Sequence, residues 1–452
     1  MKAGCFAIAF LLTWILPAPV LAHGLGGRQD LPVPLEFFVV GAGAVLVLSF
    51  VALAVLWPRP RMQESPAAGA GPANRWVSRL LGWLGMVGLA IVIVAGMVGE
   101  PTSGRNPGPV LVFVVFWLVV PFVSAVVGDI YPQLDPWKRL RGLLGVESGS
   151  GLTQTVWPAT IVFVAFTWLE LVSPWQDPFH LAIAALVYTA YLIVMGMAGR
   201  SPSEVDGFAV YNRLLGAMAP WWRRDDGTVT RVGWLRALPH LPEQAGLVTF
   251  VVAMIGTVTH DGASGTDWWA ANIELRFNRS LFDLGLSPLA SSLITGTVTL
   301  LATVGVIWLA YLGASALAAR LGGSGTARMV AVRFAHTLVP IAFAYAFAHY
   351  FTLVLFEGQL VFSTLSDPFG LGWNLLGAAD RPISYALIQT SASWVWYVQV
   401  AVIVLGHIAG VVLAHDRALA DFKGMAAVRS QYAMLLLMVV LTGLGLVILS
   451  AG

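Results

Sequence analysis

An all-α, polytopic membrane helix bundle is the fold class this chain predicts, on three observations: its composition, its ten long apolar runs, and the way basic residues fall between them. Of 452 residues, 58% are hydrophobic and only 11% are charged, and the mean hydropathy is +0.79. That leaves too little polar surface to cover a soluble globule of this size. The net charge of +2 comes from basic residues scattered over several loops, with no compact patch interleaved with aromatics. This argues against nucleic acid as a partner and leaves membrane lipid and a small-molecule substrate or ion.

Taken in order, the chain opens with Lys2, an apolar stretch from Cys5 to Ile15, the helix breakers Pro17 and Pro19, and Val20-Leu21-Ala22. These are the parts of a signal peptide over residues 1–22, cleaved after Ala22, followed by a single transmembrane helical domain over 23–452. The alternative is an uncleaved first anchor. Cleavage removes Cys5, the only cysteine, and with it disulfides, thiolate metal sites and a cysteine nucleophile. The mature chain would begin His23-Gly24-Leu25-Gly26-Gly27.

Apolar segments follow near 35–57, 80–99, 109–128, 155–174, 180–198, 245–262, 289–317, 333–356, 393–414 and 431–450. Each is long enough to cross about 30 Å of hydrocarbon as a helix. The gaps after the first, third, fifth, seventh and ninth hold 19 of the 25 basic residues, among them Arg59, Arg61, Lys138, Arg139, Arg223, Arg224, Arg328 and Lys423. Arg28, Arg105, Arg276, Arg279 and Arg381 lie on the other side. Cytoplasmic loops retain positive charge, so the alternation and the even helix count place both mature termini outside a bacterial cytoplasmic membrane.

Three loops carry further expectations. The cytoplasmic loop 199–244, with Tyr211-Asn212-Arg213 and Trp221-Trp222-Arg223-Arg224, has the composition of an amphipathic segment lying among lipid headgroups. The outer loops 263–288 and 357–392 are rich in Gly, Asp, Trp and Pro, and long enough to fold over the helix ends as lids. No matched pair of broken segments marks an inverted repeat.

The topology sorts the histidines. His23, His180, His260 and His349 fall at or near the outer face, with Glu170, Asp261 and Glu357 as carboxylate company, whereas His240, His336, His407 and His415 fall at or near the inner face. Side chains converging at one depth from several helices can hold a metal without any sequence spacing. His23, His180, His260, Asp261 and His349 are the candidate ligands for a divalent transition metal, zinc or copper, and His349, Glu357 and Glu170 the candidate catalytic groups. His349 stands out because it lies inside an apolar run, where ionisable side chains mark function or a helix–helix hydrogen bond. Tyr345 and Thr352, at i−4 and i+3, share its face. A free α-amino group on His23 would add a second donor beside its imidazole. On the inner side Pro340 cannot donate to the His336 carbonyl, which predicts a kink and, more sharply, a cation or proton site with His407 and His415. His415-Asp416-Arg417 reads more plainly as a helix-end charge cluster.

The strings His23-Gly24-Leu25-Gly26-Gly27-Arg28-Gln29-Asp30-Leu31-Pro32, Asp135-Pro136-Trp137-Lys138, Phe334-Ala335-His336-Thr337-Leu338-Val339-Pro340, Ala348-His349-Tyr350-Phe351 and Ala414-His415-Asp416-Arg417 resemble those of bacterial multipass membrane proteins known as fenitrothion hydrolases. The resemblance runs over most of the chain and implies cleavage of an organophosphorus triester. One departure is Asp135-Pro136-Trp137, where such proteins carry Asn-Pro-Trp. No catalytic residues come with the resemblance. Lys138 and Lys423 are cytoplasmic and Lys2 leaves with the signal, so no outer lysine can bridge two metals, and no G-x-S-x-G motif supplies a serine nucleophile.

Three readings of different class follow. A membrane hydrolase would activate water at an outer His/carboxylate metal site. A metal-ion or small-solute permease would capture its cargo on the outer histidines and release it on the inner ones. A non-catalytic membrane subunit would use the same polar residues to knit its helices together.

Overall fold

A computed structural model describes residues 34–63, 71–72, 75–146, 149, 155–223 and 227–451. The expected signal peptide and His23 lie outside them. The chain is an all-α, multi-pass membrane protein: among the described residues nine helices are long and apolar enough to cross a bilayer. In sequence order the elements used below are α1 (Leu35–Leu56), α2 (Arg75–Val98), α3 (Pro107–Val127), α4 (Tyr131–Leu134), α5 (Pro136–Leu143), α6 (Trp157–Leu171), α7 (Pro178–Met197), α8 (Pro202–Val205) and α9 (Gly207–Gly216). They continue with α10 (Leu247–Ser264), α11 (Leu275–Asp283), α12 (Pro288–Gly322), α13 (Ala327–Phe334), α14 (Val339–Phe356), α15 (Leu360–Ser366), α16 (Ala386–Asp421), α17 (Met425–Ser430) and α18 (Tyr432–Ala451).

Many starts share one local signal, a polar residue followed by proline. Asn106, Asp135, Asp177, Ser201 and Ser287 each accept a bond from a backbone N–H of the first turn that follows. The proline after each of them sits where its missing N–H costs nothing and its fixed φ favours the helix.

Contacts gather the helix ends at two poles. At the Arg-rich pole Arg139 Nη2 donates to the carbonyls of Ser78 and Arg79 at 2.9 and 3.0 Å, and Arg333 pairs with Asp421 at 2.6 Å. At the Arg-poor pole Asn106 Nδ2 donates to the carbonyls of Ala95 and Glu100 at 2.8 and 2.7 Å. The centre of the bundle is α10, in which every residue from Phe250 to Gly262 is buried. The closest helix pairing, α14 against α16, is made by small residues: a Cβ on Gly406 would lie 2.4 Å from Ala344 Cβ and 2.7 Å from the Pro340 carbonyl. Such close backbone approach is how helices associate where lipid removes the hydrophobic drive.

Three expectations change. The fourth apolar segment forms only the 15-residue α6, about 22 Å long against about 30 Å of hydrocarbon. The Gly207–Gly216 part of the 199–244 loop is not a surface anchor, because α9 is buried within the bundle, whereas Trp221 and Trp234 are exposed. Its Phe208 ring packs on Phe116 and Trp117 at 4.5 and 6.1 Å, and Tyr211 stacks on Trp117 at 5.2 Å. Apolar and aromatic residues at nearly every position of Gly207–Gly216 make burial on all sides cheaper than a headgroup position. The rest of that loop adds the chain's small sheet, with order β1-β3-β2 and both pairings antiparallel, from Gly71–Pro72 (β1), Trp221–Arg223 (β2) and Thr228–Arg231 (β3). Beside it, burial pushes the Asp129 carboxyl up to about 7, although the Tyr131 N–H and the charges of Arg223 and Arg213 pull the other way.

The third change concerns Pro340. The helix does break there, through a 3₁₀ turn over Ala335–Leu338, but the His336 carbonyl is not left free. It accepts the Val339 N–H, because a tighter i→i+3 bond replaces the one that proline cannot make.

Candidate functional site

The site grows from two adjacent residues of the buried α10. Successive helical positions differ by about 100°, so His260 and Asp261 face different neighbours. Asp261 turns to α14, where its Oδ2 accepts both the Tyr350 hydroxyl at 2.7 Å and His349 Nε2 at 2.9 Å. His260 turns to α12, where its Nε2 meets Thr299 Oγ1 at 3.1 Å, and the edge of Trp269 covers its ring at 5.6 Å. Asp261 and Tyr350 are buried, while His349 keeps 19% of its side chain accessible.

Gly262 makes the approach of α18 possible, with His349 of α14 in van der Waals contact beside it. A Cβ there would lie 2.4 Å from Ile448 Cγ2 and 3.4 Å from His349 Nδ1. On its other side His349 borders a cavity lined also by Thr259, Tyr345, Ile403 and Gly445, which offers about 20 Å³ to the centre of a water molecule. That is room for one water.

A second carboxyl stands behind the first. Glu170, near the end of α6, interacts electrostatically with Asp261, and the indole of Trp117 is the polar side chain acting on it. Glu170 Oε2 and Trp117 Nε1 are both buried without a hydrogen-bond partner. Trp117 lies on a stretch of α3, Val110–Val119, that is wound as a π-helix, with Val120 N–H bonded to the Val115 carbonyl. Pro121 has no N–H to give to this ladder, and such widened turns aim side chains away from the regular helical face. Tyr211 of the folded-back α9 closes the group, stacked on Trp117 and within electrostatic reach of Glu170.

The structure thus brings together His349, Asp261 and Glu170, with His260 on the adjoining flank of the same helix. It does not bring in His180, which is exposed at the start of α7, held by the capping carboxylate of Asp177 and stacked near Trp175 at 6.3 Å. Glu357 follows α14 by one residue, at the Arg-poor pole, with part of its surface accessible. His23 lies outside the described residues. Among the described residues no three His, Cys, Asp or Glu side chains converge on one point as an ion would require.

The inner histidines do not form one group either. His415 is locked by Gln431 Oε1 at 2.9 Å and the Trp57 carbonyl at 3.0 Å. His336 is buried at the 3₁₀ turn with its Nε2 unpartnered. His407 lies near the middle of α16, its ring 5.8 Å from that of Tyr345 and its Nδ1 2.8 Å from the Ile403 carbonyl. Its neighbour Gly406 packs on Pro340 and Ala344, whereas Gln399 Nε2 bonds the Ala348 carbonyl, so His407 lies about two turns from the level of His349, toward the Arg-rich pole.

Tyr350, Trp117 and Tyr211 escaped the sequence reading. Tyr350 stood in the Ala348-His349-Tyr350 string without a role, and Tyr211 in Tyr211-Asn212-Arg213 only as part of a headgroup segment. No known protein family, curated protein or solved structure matches the chain.

Proposed function

We propose that this chain is a proton-handling permease of the bacterial cytoplasmic membrane, its Arg-rich pole in the cytoplasm, which couples proton movement to that of a small cation or solute. The carrying observation is the buried Asp261 oxygen shared by His349 and Tyr350. Ionisable groups at this depth are costly and mark proton or ion pathways. Donation from His349 Nε2 to the carboxylate leaves Nδ1 as the basic nitrogen. Asp261 and His349 can then pass a proton between them, with Glu170 as a second acceptor whose Oε2 has no competing bond.

The test is proton flux into liposomes containing the purified protein, driven by a potassium diffusion potential and read with an internal pH dye. Flux is expected to fall about a hundredfold in both Asp261→Asn and His349→Ala, the scale of a lost proton-transfer group. Flux that is the same in both variants as in the parent protein would overturn the proposal.

A second reading, hydrolysis of organophosphorus triesters, follows from the resemblance, and one observation favours it. The water-sized cavity adjoins His349, and a histidine backed by a carboxylate is suited to take a proton from water as its oxygen attacks phosphorus and the leaving group departs. The same liposomes, given a chromogenic aryl dialkyl phosphate, separate the two. Release of the phenol that disappears in His349→Ala would support hydrolysis, and no release by the parent protein would remove it. The permease reading stands first because the carboxylate shared by His349 and Tyr350 is buried among apolar helices, where ionisable side chains mark proton or ion pathways.

A further inference from the structure

A row of hydroxyls on α12 points to how protons reach this site. Ser291, Thr295 and Thr299 are spaced by four residues, so they form one stripe rising about 6 Å per step. All three are buried, at 2%, 2% and 9% exposure, whereas Ile294, Val298 and Leu301 on the adjoining flank are 36%, 45% and 54% exposed. The stripe therefore faces protein, not lipid.

Hydroxyls inside apolar helices ordinarily satisfy themselves by bonding back to the carbonyl one turn earlier. Thr297, Thr299 and Thr303 of α12 do so, to the carbonyls of Leu293, Thr295 and Thr299 at 2.6, 2.8 and 2.9 Å. Ser291 Oγ and Thr295 Oγ1 do not, and both are buried without a hydrogen-bond partner. Two adjacent unpaired hydroxyls in a membrane bundle call for water.

The row ends on His260. Because the Thr299 hydroxyl donates its hydrogen to the Thr295 carbonyl, its oxygen accepts from His260 Nε2, which leaves His260 Nδ1 as the basic nitrogen. That nitrogen is also buried and unpartnered. Asp261, the next residue, interacts electrostatically with the His260 ring. We propose that Ser291, Thr295 and His260 hold a file of water that conducts protons from the Arg-poor pole to Asp261. This rests on the proton-handling reading. A proton enters from bulk water at Ser291, passes along the file to His260 Nδ1, and the imidazolium then releases a proton toward the Asp261 carboxylate.

The test is water access. In a Cys5→Ser background, single cysteines replace Thr295 on the stripe, Val298 on the lipid face one turn along, and Ser280 in the exposed α11. The liposome-reconstituted protein is treated with a charged, water-soluble methanethiosulfonate, which attacks only hydrated thiolates. Thr295→Cys is expected to react within about tenfold of Ser280→Cys, and Val298→Cys about a hundredfold more slowly. Reaction at Thr295→Cys as slow as at Val298→Cys overturns the file. Should Thr295→Cys fail to fold, Ser291→Cys carries the same expectation. Fast labelling with a flux indifferent to Asp261→Asn keeps the water file and removes the permease. Slow labelling with a flux that needs Asp261 removes the file alone.

Discussion

At the scale of single residues, Asp261 is held by what surrounds it more than by its own position. One oxygen takes two donors from consecutive residues of α14, which is possible because His349 and Tyr350 straddle it from either side. Helical periodicity favours partners three or four residues apart, so it directs attention from His349 to Tyr345 and Thr352 and away from its neighbour. Tyr345 does lie on the His349 face, but its hydroxyl is committed to the Leu441 carbonyl. The helix spacing of the clasp depends on Gly262, whose place in α10 no spacing rule marks. Gly262→Ala would press a methyl group into Ile448 and toward the His349 ring. Overpacking of this kind costs about 1–3 kcal/mol, so a lower melting temperature in detergent is expected, together with proton flux reduced by more than the loss of folded protein explains. A variant that melts and conducts like the parent would show that α18 and the His349 ring do not need this approach.

At the scale of elements, the apolar runs translate directly into helices, because uninterrupted apolar sequence started by a capping residue and proline has few alternatives in lipid. What they hide is the fate of polar residues at helix ends. His415-Asp416-Arg417, expected as a charge cluster, is instead a latch that fastens the segment after α1. Asp416 Oδ1 accepts Trp57 Nε1 at 3.1 Å and the Arg61 N–H at 2.6 Å, and Oδ2 accepts Gln63 Nε2 at 2.8 Å. The carboxylate is fully buried, so its loss leaves several donors without an acceptor. Asp416→Ala is expected to cost about 1.5–3 kcal/mol, as for one charged hydrogen bond net of water, and to free residues 57–63. Limited trypsin digestion in detergent reads this directly. Cleavage after Arg61 becomes faster in the variant, while Arg59, followed by Pro60, stays resistant. Equal rates of cutting in the two proteins would dismiss the latch. The folded-back α9 was equally illegible, since an aromatic segment with a few polar residues suits a headgroup layer and a bundle interior alike, and only the partners Phe116, Trp117 and Phe163 decide between them.

For the whole molecule the open quantity is parity. Nine long spans alone would put the ends of the helical domain on opposite faces of the membrane, whereas ten put them on the same face. The deciding element is α6, too short to reach across about 30 Å unaided. Its ends nevertheless belong to different poles. Trp157 sits against Gly246 just before α10, and the chain leaving α6 enters α7 at Pro178, whose carbonyl touches Gly96 near the end of α2. The missing depth at the Arg-rich side is filled by α9, which lies so close that a Cβ on Gly207 would be 2.9 Å from the Ala159 carbonyl. A short helix backed by a folded-in segment can cross where neither would alone, since buried backbone is tolerated at that depth when protein rather than lipid surrounds it. On the proposed topology, with α6 counted, the Arg-rich pole lies in the cytoplasm and the C-terminus outside. Alkaline phosphatase, active only outside the cytoplasm, is therefore expected to be active when fused after Gly452 and inactive when fused after Gly323. Activity at both positions or at neither would mean that one of α14, α16 and α18 does not cross, and activity only at Gly323 would mean that α6 does not cross or that the whole orientation is inverted, with protons then entering the hydroxyl row from the other face.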